Sequence, residues 1–432
     1  MNRFDGPRPR RGVTLEMSLK PFFSVDEETI RAVCRRMFIQ WKPLADVSET
    51  VSVLLWSADG SEILEYDGNP DTRFEWAYFI GGANRCTDWD RQADPDGRGL
   101  HTVCYPYRER PPVMTYGILG RIIRLLREEG NAVLEKPVRI GATFDPGPEF
   151  ALSDFKYRRH REICAGESMG RKSMVCCYAR LHAEQRPYAG FPEGIPEGLP
   201  FGTFFGRQAQ LFLQDLGFDY LWLSNGFGFG TEAWGVTGAL LDGERYYPER
   251  LPHVKEQILD FWRSFRRECH FRVETRGTNL TAGIDYASDG VCLDAIYSGD
   301  FDLLPPPNSP WAAMDGDFGL ELAGYMSHIA CLPRGEEDFL FRFYVHDPWW
   351  MNSPWLDRYG RSPHDIYLPL AVSRVGKDGR VYSPAYLNLL TVDNSLGEMP
   401  EVSRRRYCKQ IPFKESPPTK GSENEYTVVC LR

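Results

Sequence analysis

The feature that most constrains the fold of this chain is a regular alternation of short apolar segments with longer amphipathic ones. Short segments rich in branched and aromatic residues are typical of buried strands, and the segments between them have helical periodicity. This alternation predicts parallel strands joined by crossover helices. The predicted strands are 13–19, 51–56, 138–144, 220–225, 271–274, 291–297, 339–345 and 367–372. The predicted helices are 24–41, 114–129, 204–216, 248–269 and 318–331.

Eight predicted strands with helical crossovers favour a closed barrel over an open sheet. We therefore predict an α/β fold with a single (β/α)8 TIM-type barrel, which accommodates a chain of 432 residues as one domain. Long loops rich in Gly, Pro and Asp follow strands 2 and 3, at 57–112 and 150–200. Loops of this length are usually functional. The barrel is predicted to span 1–400, with 401–432 as a C-terminal extension packed on it.

The overall charge and the cysteine pattern limit the partners and the compartment. The formal net charge is −9 and the sequence has no large basic patch, so neither nucleic acid nor a membrane is an expected partner. No apolar run is long enough to span a bilayer, and the segment after Met1 lacks the apolar stretch of a secretory signal. The 11 Cys contain no C-x-x-C pair, which is typical of reduced thiols. We expect a cytoplasmic protein, compatible with a homo-oligomer.

Carboxylates recur where the predicted strands end. In a barrel of this type, the reacting groups lie at the carboxyl ends of the strands, so side chains from distant parts of the chain meet there. Paired carboxyls at one site suit acid/base or nucleophilic chemistry on glycosidic bonds. The candidate catalytic residues are Glu274, Asp145, Asp347 and Glu232.

Aromatic and polar side chains accompany these acids. Flat rings suit the apolar faces of sugars, and acids and amides suit their hydroxyl groups. The chain is 13% aromatic, and many of its rings fall in predicted loops, where packing alone does not explain them. The candidate substrate-binding residues are Trp56, Asn225, Arg276, Asn279, Asp294, His346, Trp349 and Trp350. Arg276 in an acidic cleft would suit a substrate carboxylate, as in a uronic or sialic acid.

Several of these residues also have a structural interpretation. Asp145 precedes Pro-Gly and could simply form a turn. Glu274 could pair with Arg272 or Arg276, and Asp294 lies inside a predicted strand, where a salt bridge is an equal alternative. Asp347 could orient its neighbour His346, and Trp349 and Trp350 could pack a loop. Glu232 is a loop residue of a kind more often found at the surface.

The strand-end pattern resembles that of (β/α)8-barrel glycoside hydrolases, in architecture and residue type, over about residues 13–400. Many such hydrolases end their fourth strand with Asn-Glu, in which the Glu is the acid/base. This chain has Asn225-Gly226 at that place. The resemblance therefore implies a sugar contact for Asn225 and an acid supplied by Glu232 or by another strand end. Its implied substrate is a small oligosaccharide or glycoconjugate.

Two other functions remain alternatives. A noncatalytic carbohydrate-binding barrel would bind sugar without turnover. A serine hydrolase would use Ser168, which lies in a G-x-S-x-G match, although the residues before it do not read as the buried strand of a nucleophile elbow. The sequence contains no dinucleotide-binding or Walker A motif and no His pair of the metalloprotease type, so we predict neither a cofactor nor a metal.

Overall fold

A computed structural model shows a curled, all-parallel sheet of seven strands in the order β5–β4–β3–β2–β1–β7–β6. The strands are β1 (Arg10–Ser18), β2 (Ser48–Trp56), β3 (Val138–Phe144), β4 (Tyr220–Leu223), β5 (Arg272–Thr275), β6 (Leu340–Tyr344) and β7 (Tyr386–Leu390). The structure describes residues 10–80, 105–106, 110–147, 151–168, 171–224, 227–228, 245, 247–275, 295–296, 299, 301–303, 340–344 and 386–390.

Helices connect the strands and pack on one face of the sheet. They are α1 (Glu27–Asp46), α2 (Ser61–Leu64), α3 (Tyr116–Leu134), α4 (Phe201–Leu216) and α5 (Leu251–Glu268). Helix α1 packs on α3, α3 on α4, and α4 on α5, so the long helices form a layer that follows the strand order. None of the described helices has the length and apolar character needed to cross a membrane.

A local capping signal begins α1, whereas the glycine predicted to end α3 has another role. The carboxylate of Asp26 accepts the backbone N–H of Thr29 at 2.8 Å and begins α1. Helix α3 was predicted to end at Gly130, but it continues to Leu134. A Cβ at Gly130 would lie 2.7 Å from Cζ of Phe38 and 2.8 Å from Cγ2 of Val138. This glycine therefore permits close packing of α3 on α1 and β3 instead of ending the helix.

The two faces of the sheet differ in composition because successive side chains of a strand point to opposite sides. In β1, Val13, Leu15 and Met17 belong to the hydrophobic core that the helices cover. The alternate positions, Thr14, Glu16 and Ser18, are also buried but polar. A polar face that is buried implies that the concave side of the sheet holds functional or paired groups.

The first five predicted strands and the seventh are confirmed, with small shifts of their ends. The sixth was predicted at 291–297, but its described residues Ala295 and Ile296 are helical, and Gly299 N–H donates to the carbonyl of Ala295. Leu303 instead forms a parallel bridge with Val273 of β5. The prediction at 291–297 is therefore wrong at these residues.

Strand β7, which lies next to β1, was not predicted. Strand β7 pairs in parallel with both β1 and β6. The predicted eighth strand, 367–372, lies outside the described residues. Pairing of β7 with β1 places the first and last described strands of the chain side by side, while β5 and β6 are the edges of the described sheet.

The long loops after β2 and β3 contain short, locally paired segments. Antiparallel pairs join Phe79–Ile80 to Tyr105–Pro106, Gly166–Ser168 to Arg171–Met174, and Arg180–Leu181 to Leu199–Pro200. A π-helical turn spans Phe155–Arg159, and 3₁₀ turns span Arg161–Ile163 and Pro248–Arg250. A π-turn of this kind frequently marks a functional region.

Candidate functional site

Two tryptophans and a glutamate meet near the carboxyl end of the sheet. Trp222 of β4 is in register with Glu274 of β5 on one side and with Thr143 of β3 on the other. Trp56, the last residue of β2, places its ring edge-to-face with that of Trp222, with centroids 5.5 Å apart. Strands two apart in a sheet are separated by roughly 10 Å, so this contact above β3 follows from the curl of the sheet. All three side chains are buried.

A glycine in β3 lets a ring lie across the strand. A Cβ at Gly141 would lie 2.2 Å from Cζ of Tyr220, so the Tyr220 ring occupies the space that any other side chain would fill. The guanidinium of Arg139 lies 5.5 Å from the centre of the same ring. Burial first, and then the nearby carboxyls of Glu274 and Glu16, raise the pKa of Tyr220. Tyr220 therefore lies within electrostatic reach of both acids.

Glu16 is a second buried acid on the concave face. Its Oε2 accepts the indole N–H of Trp56 at 3.0 Å, which sets the orientation of that ring. Two residues before Glu16, on the same face of β1, the hydroxyl of Thr14 lies 2.8 Å from the hydroxyl of Ser52 in β2. The sequence analysis did not select Glu16. The signal was the polar residue at every second position of β1, which indicates that Glu16 lies on one face of the strand. A Glu on a buried face almost always has a partner.

Glu274 is buried beside a cation. Oε1 of Glu274 is 3.6 Å from Nε of Arg272, longer than a hydrogen bond, so the predicted pairing with Arg272 exists only as a loose ion pair. Burial raises the pKa of Glu274 above its ordinary value, and Arg272 and Arg139 oppose that shift without cancelling it. A buried carboxyl with a raised pKa at the end of a strand is suited to act as an acid.

Asp145 has the turn geometry that its sequence context allowed. Its Oδ1 accepts the backbone N–H of Gly147 at 2.8 Å, and its side chain is buried. Burial raises the pKa of Asp145, while the Gly147 hydrogen bond and the nearby Lys156 act in the opposite direction. The turn interaction does not test the predicted catalytic role, which stays a prediction.

A buried lysine joins the loops after β2 and β3. Nζ of Lys156 donates to the carbonyls of Asp59 and Asp145, each at 2.8 Å, and lies 3.0 Å from Oδ2 of Asp59. The side chains of Lys156 and Asp59 are fully buried. Burial of both charges is tolerated because they face each other and because two carbonyls accept the remaining ammonium protons.

Glu62 lies beside this pair and carries a strongly shifted pKa. Its oxygens accept the N–H groups of Ala58 at 3.2 Å and Gly60 at 3.0 Å. Burial, assisted by the Asp59 carboxylate, raises the pKa of Glu62 from 4.5 to about 8. Between these two pH values the folded chain holds a proton that the unfolded chain has lost. Folding stability must therefore fall as the pH rises through this range.

We expect Glu62→Gln to flatten the dependence of the melting temperature on pH. A tenfold change in an ionisation constant corresponds to about 1.4 kcal/mol. Because the pKa of Glu62 is about 8 in the folded chain instead of 4.5, ionisation of Glu62 costs the folded state several kcal/mol. The melting temperature of the variant relative to the unmodified chain should rise from about pH 5 to about pH 8 and then level off. The exposed Glu49→Gln is the control and should leave the slope unchanged. Parallel melting curves for Glu62→Gln and the unmodified chain would refute the assignment.

Two histidines and a glutamate also meet in the loop after β3. The ligand atoms of His160, Glu162 and His182 all lie within 4.8 Å of one another. The sequence provided no spacing motif for this group, because its two histidines are separated by 21 intervening residues. Their proximity comes from the way the loop folds back on itself.

The remaining predicted site residues lie outside the described part of the chain and stay predictions. The predicted catalytic residues in this set are Asp347 and Glu232, and the predicted binding residues are Asn225, Arg276, Asn279, Asp294, His346, Trp349 and Trp350. Ser168 ends the first strand of an antiparallel hairpin whose partner is Arg171–Met174. A nucleophile elbow needs a strand followed by a helix, so the hairpin does not support the serine hydrolase alternative.

The fold and the concave face define a parallel α/β protein with buried acids and indoles at the carboxyl end of its sheet. No protein-family model and no curated protein sequence matches the chain. Solved structures with some similarity include GH5_18 from Streptomyces cattleya in complex with GlcNAc, at a TM-score of 0.38 and 10% identity, covering 98% of this chain and 81% of that one. A beta-N-acetylhexosaminidase follows at a TM-score of 0.39 and 12% identity, covering 98% and 76%. TM-scores this low establish neither a common fold nor a common activity.

Proposed function

We propose that this protein is a glycoside hydrolase in which Glu274 is the proton-donating acid. The observation that carries the proposal is the position of Glu274 at the carboxyl end of a parallel strand. It is a buried carboxyl with a raised pKa, in register with Trp222, whose ring contacts that of Trp56. Cleavage of a glycosidic bond needs one carboxyl that is protonated and a second that is ionised. Burial of Glu274 supports the first of these roles.

The second carboxyl comes from a neighbouring strand end. Asp145, Asp347 and Glu232 are the candidates from the sequence, and the structure adds Glu16. Glu16 is buried on the concave face, and its Oε2 accepts a hydrogen bond from the indole N–H of Trp56. Carboxyls about 5 Å apart would retain the anomeric configuration, and carboxyls about 6.5–9.5 Å apart would invert it.

The sheet is proposed to close into the predicted barrel. Three observations support closure: β7 pairs with β1, Leu303 continues the sheet beyond β5, and the Trp56–Trp222 contact spans the concave face. In a closed barrel, the carboxyl ends of all strands surround one cleft. The substrate would enter that cleft from the carboxyl end, and a small oligosaccharide is the substrate class that acids and indoles together suit best.

The proposal is tested by hydrolysis of a panel of nitrophenyl glycosides, including a uronide and a sialoside, and of the matching disaccharides. We expect one sugar to be released by the unmodified chain, with Glu274→Gln lowering kcat about 10²- to 10⁴-fold. Loss of an acid harms a poor leaving group most, so the loss should be larger for the disaccharide than for the nitrophenyl glycoside. The exposed Glu193→Gln is the matched control and should retain full activity.

Three outcomes would contradict the proposal in different ways. Full activity in Glu274→Gln would exclude Glu274 as the acid while leaving the reaction class standing. Sugar binding by calorimetry without hydrolysis of any substrate would indicate the noncatalytic carbohydrate-binding alternative. A third outcome, equal losses for both kinds of substrate, would show that Glu274 acts as the nucleophile instead of the acid.

A further inference from the structure

We propose that His160, Glu162 and His182 form a binding site for a divalent transition metal ion, with Zn²⁺ as the expected ion. The geometry is convergent: Nδ1 of His160 lies 2.8 Å from Oε1 of Glu162, and Nδ1 of His182 lies 2.9 Å from the same oxygen. Two imidazole nitrogens and one carboxylate oxygen are a ligand set that Zn²⁺ prefers, with one coordination position left open.

Binding of the ion requires the ligand atoms to shift. Tetrahedral zinc with bonds of about 2.0–2.1 Å places its ligand atoms about 3.3 Å apart. The two contacts to Glu162, at 2.8 and 2.9 Å, must therefore lengthen by a few tenths of an ångström, and any wider separation within the 4.8 Å that bounds the group must close. The side chains of His182 and Glu162 are 50% and 29% exposed, so solvent leaves room for this movement, although Oε1 of Glu162 also accepts the backbone N–H of His182 at 3.1 Å. His160 is fully buried and supplies the rigid part of the site.

The surroundings of His160 are those of a metal-bound imidazole. Its ring packs against Phe155 with centroids 4.5 Å apart, and its Nε2 lies 3.2 Å from Oε2 of Glu184. A metal-ligating histidine almost always donates its other ring N–H to a carboxylate or carbonyl, which orients the ring and strengthens it as a ligand. Glu184 is itself held by Arg159 and by the hydroxyl of Tyr188.

The two ring nitrogens of His160 have separate partners. Nδ1 faces Glu162, and Nε2 faces Glu184. With a metal at Nδ1, Nε2–H would still be available to donate to Glu184. The bound ion would also join residues 160–162 to His182, and thereby clamp the loop that carries Lys156.

The test is titration of the full chain, stripped of metal with a chelator, with Zn²⁺ alone and with Co²⁺ alone. We expect one equivalent of Zn²⁺ to bind and to raise the melting temperature. His182→Ala, at an exposed position, should weaken binding at least tenfold, while His253→Ala, another exposed histidine, should bind as the unmodified chain does. Glu184→Gln should weaken binding about 10- to 100-fold, as loss of an outer partner does.

Cobalt distinguishes this site from the cysteines of the chain. Co²⁺ bound to nitrogen and oxygen gives visible d–d bands without the near-ultraviolet charge-transfer band of a thiolate ligand. Such a spectrum, lost in His182→Ala, would support the site. A thiolate band, equal Zn²⁺ affinity in His182→Ala and the unmodified chain, or the absence of Zn²⁺ uptake at micromolar protein would each overturn the proposal. None of these results depends on glycosidase activity.

Discussion

Replacement of Lys156 by Met should lower the free energy of unfolding by about 3–5 kcal/mol, the cost of removing one partner from a buried ion pair. The change leaves the carboxylate of Asp59 buried without its cation and leaves the carbonyls of Asp59 and Asp145 without their donor. Met fills a similar volume, so the loss reports the missing charge and hydrogen bonds more than a cavity. Because whole domains are stable by only about 5–15 kcal/mol, this is a large fraction of the total.

Urea unfolding of Lys156→Met measures this loss against two comparisons. The same substitution at the exposed Lys42, which pairs with Asp46 one helical turn away, should cost less than about 1 kcal/mol. Adding Asp59→Asn to Lys156→Met removes the orphaned charge and should restore part of the stability. A loss within about 1 kcal/mol for Lys156→Met alone would show that the buried pair is not required.

A second large loss of stability is expected for Gly60→Ala, at the turn that follows β2. Gly60 has φ of +89°, and a Cβ there would lie 2.2 Å from Cδ2 of Phe144. Phe144 has no room to move aside, because its ring packs against the rings of Phe205 and Phe227, with centroid distances of 4.4 Å and 4.9 Å. Backbone strain of about 1–2 kcal/mol and overpacking of about 1–3 kcal/mol should therefore add, for a loss of several kcal/mol.

Gly198→Ala is the matched control for this prediction. Gly198 has a similar backbone, with φ of +73°, but nothing lies within 4 Å of its would-be Cβ. The Gly198→Ala variant should lose only about 1–2 kcal/mol of stability, the cost of the backbone strain alone. The difference between the two urea midpoints isolates the contact with Phe144. Equal losses would mean that the ring of Phe144 yields, and that the end of β3 is less tightly packed than the structure shows.

The candidate site could be predicted from the sequence in part. Trp56 and Glu274 were placed at the carboxyl ends of strands by the alternation of apolar segments, and the structure puts both residues there. Their connection through Trp222 was not predictable, because the register between β4 and β5 depends on pairing across residues about fifty positions apart. Glu16 was overlooked because the apolar character of β1 concealed its polar alternate face.

The sequence by itself determined the class of fold. Hydrophobic periodicity is a local property, so the strands from β1 to β5 and the long helices between them were predicted within a few residues of their observed bounds. Buried strands of parallel α/β proteins carry a strong local signal because both of their faces are covered. The prediction missed β7, whose apolar run Tyr386–Leu390 is interrupted by the polar Asn388.

The tertiary structure alone decided which residues meet. The burial of Lys156 between two loops, the packing role of Gly130 and the meeting of His160 with His182 all rest on contacts between segments far apart in the chain. Whether a lysine is solvated or paired, or a glycine ends a helix or admits a neighbour, depends on which atoms surround it in the folded chain. No local pattern of residues contains that information, since the surroundings are created only when the helices and loops pack on the sheet.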